Sequence, residues 1–167
     1  MNLTSFTLAS ALRAGLLISV IAGGYLVYEH YRTKAVYQRT VNSVMQAMEA
    51  QVATHLADTQ CLHIPSNPTI EGLTSQGLLS SSIVEQSPWA LSIQYYDDDK
   101  SGIVMAKSVT LTASSAEEGE ALKALGATTI GSWRYQAPAL TIHRGINPET
   151  HIIDRLEFDP QTACFAR

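Results

Sequence analysis

Cysteine is scarce in this sequence, which contains only Cys61 and Cys164 among its 167 residues. Their wide separation excludes a C-x-x-C redox or zinc motif. In a reducing compartment the two residues would be unrelated thiols, whereas in an exported protein they would pair. Such a disulfide would close a loop of roughly a hundred residues and add about 4–5 kcal/mol to the free energy of unfolding. The sequence favours the pair on condition that the protein is exported.

Local motifs of catalysis are missing as well. The chain has no G-x-S-x-G nucleophile elbow, no P-loop, no G-x-G-x-x-G fingerprint and no H-E-x-x-H zinc motif. Its histidines are scattered without the spacing of metal ligands: His30, His55, His63, His143 and His151. We therefore predict a protein that is not an enzyme and that carries no cofactor.

Positive charge is in short supply. The formal net charge is −4, which argues against a nucleic-acid partner. Four basic and three acidic residues lie within the first sixty positions, whereas the rest of the chain holds seven basic and twelve acidic residues. A slightly basic first third before an acidic body fits a membrane-proximal stem that carries a soluble head.

No charged residue interrupts the chain between Ala14 and Tyr28. A helix of these residues spans about 22 Å, which is short of a hydrocarbon core of roughly 30 Å. Extension backwards supplies the missing length if Arg13 reaches the lipid headgroups. We expect a membrane and assembly helix formed by Phe6, Leu8, Leu12, Leu16, Leu17, Ile18, Val20, Ile21 and Leu26. The alternative is a secretory signal cleaved after Ala22.

Glycine and proline are absent from Glu29 to Thr59. Apolar residues recur there every three or four positions, which predicts an amphipathic helix with one apolar stripe. The stripe consists of Tyr37, Val41, Val44, Met45, Met48, Val52 and Leu56. The simplest interpretation is one helix of about fifty residues, embedded in the membrane in its first half and packed on a head in its second. The alternative is two helices with a hinge at Gly23-Gly24.

The residues after Cys61 predict a small head with mixed secondary structure. A loop with a short helical turn near 74–79 precedes a hairpin of strands 90–96 and 102–113. A short helix follows, capped by Ser114 or Ser115, closed by Gly126, and facing inward through Ala116, Leu122 and Leu125. A second strand pair surrounds Pro138, and residues 151–159 predict a final strand. The fold class is α+β with a small antiparallel sheet, divided into segments 1–28, 29–60 and 61–167.

The acidic turn between the first two strands is a weak candidate for calcium. Asp97, Asp99 and Ser101 match the first three ligand positions of an EF-hand loop. The twelfth position, which needs a bidentate glutamate, is Ser108. A solvated hairpin turn rich in turn-forming residues is the competing interpretation.

Two short motifs accompany this architecture. Phe6-Thr7-Leu8 stands five residues from the start of the chain, and Ser87-Pro88-Trp89 directly precedes the first predicted strand. The motifs and the architecture together resemble type IV pilins and the pseudopilins of type II secretion, in which similar residues begin the mature helix and form the turn that opens the sheet. The cysteine near the end of the chain also fits the disulfide common in pilins. The resemblance implies a leader cut between Ser5 and Phe6 and a long helix packed on an antiparallel sheet.

The same resemblance implies a structural subunit of a pilus or pseudopilus. Its partners would be other pilin-like subunits, inner-membrane assembly components and membrane lipid, and its head would lie in the periplasm or on an extracellular filament. The chain departs from the family pattern, since Ser5 replaces glycine, Ser10 replaces the assembly glutamate and Arg13 interrupts the apolar segment. These departures imply a minor, tip or atypical subunit.

Two other functions remain open at the level of sequence. One is an unprocessed single-pass protein of the inner membrane whose periplasmic head scaffolds other envelope components. The other is a secreted binding domain that begins after signal cleavage near Ala22.

Overall fold

The computed structural model describes residues 3–63, 68–98, 102–146, 158–159 and 161–165, with the backbone alone described for residues 3–23, 26 and 158. The chain divides into two compact units, Met1–Val36 and Tyr37–Arg167. Helix α1 is assigned to Leu3–Thr59, with helical backbone through Gly23-Gly24. The absence of glycine and proline predicted the part of this helix from Glu29 to Thr59, and that prediction is confirmed.

The first unit is helical, and its later turns carry aromatic side chains that lie open to solvent. Tyr25, Tyr28 and Tyr31 are 62%, 63% and 67% exposed. Arg32 pairs with Glu29 over 3.6 Å, a spacing of three residues that suits neighbours on one helix face. Among the helices of the described residues, none combines the length and the apolar character needed to cross a bilayer.

The second unit buries one face of the remaining turns of α1. The side chains of the predicted stripe are buried from Tyr37 to Met48, and those of Val52 and Leu56 are half-buried. The amphipathic pattern is thereby confirmed for its first three turns. The fully buried members include Val44 and Met45, which lie at the centre of the stripe.

Four antiparallel strands form the sheet of this unit in the order β1-β2-β4-β3. They are β1 (Ala90–Asp97), β2 (Val104–Thr112), β3 (Ser132–Gln136) and β4 (Ala139–Gly145). Both predicted strand pairs are confirmed, and pairing of β2 with β4 joins them into one sheet. Leu111 lies between Leu91 and Leu140 in the register, so apolar side chains from neighbouring strands share one face.

Helix α4 (Ala116–Gly126) connects the two strand pairs. The Ser115 hydroxyl accepts a hydrogen bond from the Glu118 amide at 3.2 Å, and the Glu118 carboxylate accepts one from the Ser114 amide at 3.2 Å. These reciprocal bonds satisfy amides that have no partner within the helix. Leu122 and Leu125 are buried as expected.

The expectation for Ala116 was wrong, because this residue is exposed and Gly119 is buried instead. Gly119 allows close approach of the sheet, since an added Cβ would lie 2.7 Å from the Tyr135 hydroxyl oxygen and 3.1 Å from Pro138 Cα. The helical spacing of the apolar residues does not by itself show that a glycine lies on the buried face of the helix.

The segment between α1 and the sheet differs from the prediction. Helix α2 spans Ile70–Ser75, earlier than the predicted turn at 74–79, because Thr69 caps it by accepting from the Gly72 amide at 2.9 Å. A further helix, α3 (Ser81–Gln86), was not predicted. Of the predicted final strand, β5 (Phe158–Asp159) is seen paired with β6 (Cys164–Phe165), and residues 151–157 lie outside the described residues.

Candidate functional site

Two buried sheet side chains hydrogen-bond to the backbone of α1 within the second unit. The Tyr95 hydroxyl donates to the carbonyl oxygen of Met48 at 2.7 Å, and the Lys107 ammonium donates to that of Met45 at 3.0 Å. A carbonyl oxygen has two lone pairs, so it can accept a side-chain hydrogen bond and a helical one together. These contacts fix the position and rotation of this part of α1 on the sheet.

Lys107 also forms an ion pair with Glu49 of α1. The lysine side chain is fully buried, whereas that of Glu49 is 57% exposed. Burial lowers the pKa of Lys107, and the hydrogen bond and charge of Glu49 oppose that shift. A lysine with a lowered pKa can serve as a nucleophile, but Lys107 lines neither of the two surface depressions described below. Its geometry fits a structural contact.

The two cysteines lie at bonding distance. The sulfur atoms of Cys61 and Cys164 are 1.99 Å apart, across a sequence separation of 103 residues. Backbone hydrogen bonds flank the pair, from the Leu62 amide to the Ala163 carbonyl and from the Phe165 amide to the Gln60 carbonyl, each at 2.8 Å. The end of the chain is thereby held against the residues that follow α1.

The proposed calcium ligands lie only in part within the described residues. Asp97 ends β1, and Asp99 and Ser101 fall outside the described ranges. The turn is closed by hydrogen bonds from the Asp98 amide to the Ile103 carbonyl at 2.9 Å and from the Gly102 amide to the Asp98 carbonyl at 2.8 Å. Within the described part of the chain, no three His, Cys, Asp or Glu side chains are grouped to hold a metal ion.

The sequence-predicted assembly residues belong to α1, but their side chains are not among those described. This applies to the leader site at Ser5 and Phe6 and to the apolar set Leu8, Leu12, Leu16, Leu17, Ile18, Val20, Ile21 and Leu26. Their proposed roles in cleavage, anchoring and assembly are therefore expectations.

A groove of about 230 Å³ runs between α1 and the loop before β3. We call it the helix–loop groove, and its walls include Tyr37, Val41, Asn42, Thr129, Ile130 and Arg144. One Arg144 nitrogen, Nη2, donates to the Asn42 side-chain oxygen at 3.0 Å. The Tyr37 hydroxyl contacts the Thr129 hydroxyl, and burial raises the pKa of Tyr37.

A second depression, of about 340 Å³, lies on the sheet and is lined by Arg134, Pro138, Thr141 and neighbouring residues. The rings of Tyr96 and His143 lie in it with their centroids 5.4 Å apart. The Thr110 and Thr141 hydroxyls hydrogen-bond to each other at 2.9 Å. Several of its polar groups therefore already have partners in the fold.

The sequence analysis did not predict the polar contacts to α1, although the position of Lys107 in its strand indicates a buried side chain. It alternates with Val109 and Leu111, which places it on the inward face of β2. Arg144 likewise continues the inward series of Leu140 and Ile142. A basic residue at an inward strand position implies a buried partner.

Comparison with known proteins does not identify this chain. No protein-family model, no curated protein and no solved structure matches it.

Proposed function

We propose that this protein is a non-enzymatic, membrane-anchored structural subunit of the pilin-like kind, in a pilus or a type II secretion pseudopilus. The observation that carries the proposal is the burial of the α1 stripe from Tyr37 to Met48 in a unit with an antiparallel sheet. That helix also contains the uncharged segment between Ala14 and Tyr28. One helix would thus serve as anchor and as part of the head.

Two further observations support this proposal. The Cys61–Cys164 pair suits an oxidising compartment such as the periplasm. Exposed tyrosines at positions 25 and 28 lie at the end of the uncharged segment, and Tyr31 follows it, where aromatic residues favour a membrane–water interface. Under this proposal the protein resides in the inner membrane, and its head faces the periplasm or the outside of a filament.

The atypical amino terminus supports a minor or tip position. In the pilin families that this sequence resembles, the glutamate of the mature helix pairs with the amino terminus of a neighbouring subunit, and here Ser10 stands in its place. A subunit at the tip has no upper neighbour and does not need this contact. An unprocessed inner-membrane accessory protein is the second candidate, favoured by Ser5 at the position before cleavage.

Mass measurement of the protein extracted from its native membrane tests the proposal. Loss of Met1 to Ser5, together with recovery in sheared filaments, supports the processed subunit. An intact amino terminus with retention in the inner membrane supports the accessory protein. A free periplasmic protein that begins at Gly23 would overturn both.

A matched pair of variants sharpens this experiment. Ser5→Gly introduces the glycine that precedes the cleavage site in the pilins that this sequence resembles, so we expect a larger cleaved fraction. Ser10→Gly makes the same chemical change beyond the cleavage site and serves as the control. Equal cleavage of the two variants and the parent would contradict recognition at Ser5-Phe6.

A further inference from the structure

The helix–loop groove combines an exposed apolar side chain with an incompletely bonded cation. Ile130 is 88% exposed at its wall, the largest exposure among the bulky apolar residues described. Arg144 Nε is buried and makes no hydrogen bond within the described part of the chain. This nitrogen is closed to solvent, so a ligand in the groove would contact Arg144 through the outer guanidinium nitrogens, which also donate hydrogen bonds.

The charge of the chain indicates what such a ligand would be. Residues 61–167 contain twelve acidic and seven basic side chains, so copies of this chain present many carboxylates to one another. Arg144 forms no ion pair with any described carboxylate of its own chain, although its fork of donors suits bidentate carboxylate binding. Charge complementarity therefore favours an acidic surface of a second copy.

The exposed face of α4 has matching chemistry. The Glu117 carboxylate has no hydrogen-bond or ion-pair partner among the described residues, in contrast to Glu118 and Glu120. Ala121 and Ala124 follow it at spacings of four and seven residues and are exposed. This face offers a carboxylate beside a flat surface of small side chains, against which a bulky aliphatic residue can pack.

We propose that the helix–loop groove of one copy receives the exposed face of α4 from a second copy. Ile130 packs on Ala121 and Ala124, and Arg144 binds Glu117 of the second copy. The two surfaces are different, so the contact is heterologous and can repeat from one copy to the next. The inference deepens the proposed function, on which it rests, by naming the head surfaces through which subunits associate.

Photo-cross-linking of the full-length chain in membranes tests this contact. A benzophenone amino acid at Ile130 is expected to cross-link to α4 of another copy, as mapped by mass spectrometry. The same probe at Met105, which is 51% exposed, is the matched control and is expected to give no such product. Products at other segments, products with other proteins only, or no product would overturn the proposal.

Exchanging the charges of Arg144 and Glu117 distinguishes loss of the proposed contact from misfolding of the head. Arg144→Glu and Glu117→Arg are each expected to reduce the cross-linked fraction about tenfold, because each removes a charge-assisted contact. The double variant restores the pairing in exchanged form and is expected to recover the product, which a misfolded head would not do. Failure of the double variant to recover it would contradict the contact.

These outcomes are distinct from those of the proposed function. If copies cross-link at Ile130 but the protein never enters filaments, the contact is supported and the filament role is contradicted. If the protein is recovered in filaments but Ile130 gives no cross-link, the filament role is supported and the contact is contradicted.

Discussion

At the scale of single residues, Lys107 and Glu49 form an ion pair whose members lie in very different surroundings. The lysine is fully buried and the glutamate is mostly exposed. Removing the glutamate leaves a buried cation with the Met45 carbonyl, whereas removing the lysine leaves a carboxylate that water can solvate. The two halves of one ion pair should therefore have unequal effects on stability.

We expect Glu49→Gln to lower the free energy of unfolding by about 1–2 kcal/mol at neutral pH. Lys107→Met fills the same space without a charge and is expected to change it by less than about 1 kcal/mol in either direction. Urea denaturation followed by circular dichroism measures both values. A larger loss for Lys107→Met than for Glu49→Gln would show that the hydrogen bond to Met45 dominates.

Tyr95 gives the head a dependence on alkaline pH. Burial raises the pKa of this tyrosine above its usual value of 10.0. A raised pKa in the folded state means that its contribution to stability is complete below pH 10 and is lost as the pH rises further. Lys107 affects the pH dependence of stability in the opposite direction. Because its pKa is lowered in the folded protein, the free energy of unfolding increases as the pH rises towards 10.5.

Comparison of the parent with Tyr95→Phe isolates the tyrosine contribution. We expect the variant to lose about 1 kcal/mol at neutral pH, with the hydrogen bond to Met48, and to show a shallower decline above pH 10. Tyr96→Phe, on a partly exposed residue of the same strand, is the control. Parallel pH profiles for the parent and Tyr95→Phe would refute this assignment.

At the scale of elements, α4 is positioned by a close approach that only glycine permits. Gly119 lies against Tyr135 and Pro138, with no room for a methyl group. Helix propensity alone would make alanine better than glycine by about 1 kcal/mol. We expect the steric cost to win, because Pro138 meets the added Cβ with backbone rather than with a flexible side-chain end.

Gly119→Ala should therefore destabilise the head by about 1–3 kcal/mol. In the monomeric protein, Ala124→Gly on the exposed face of α4 measures helix propensity alone and should cost about 1 kcal/mol. Thermal or urea unfolding of both variants provides the comparison. Stabilisation by Gly119→Ala would mean that Tyr135 and the strand connection move aside at little cost.

The elements that local sequence determines are those that could be predicted. The stripe of α1, the hairpin of β1 and β2, and the Ser115 cap each depend on residues close in the chain. Pairing of β2 with β4 could not be predicted, since Thr110 meets Thr141 across an intervening helix and strand. The helix–loop groove was missed for the same reason, because it joins Asn42 and Arg144, which are 102 residues apart.

At the scale of the whole molecule, the Cys61–Cys164 pair links distant parts of the sequence. It closes a loop of 103 residues that contains α2 to α4 and the whole sheet. In the chain-entropy account, a cross-link over so long a loop restricts the unfolded chain more than the folded one. The pair therefore matters most for a head that must persist outside the reducing cytoplasm.

We expect Cys61→Ser to lower the free energy of unfolding of the oxidised protein by about 2–5 kcal/mol. The double variant Cys61→Ser with Cys164→Ser is the control, since it avoids a lone thiol and should match the reduced parent protein. Urea unfolding with and without reductant provides both measurements. Equal stability of the oxidised and reduced parent would show that the bridge adds nothing, and free thiols at both positions in exported protein would contradict the pairing itself. Because the bridge requires an oxidising compartment to form, the second result would also count against a periplasmic head.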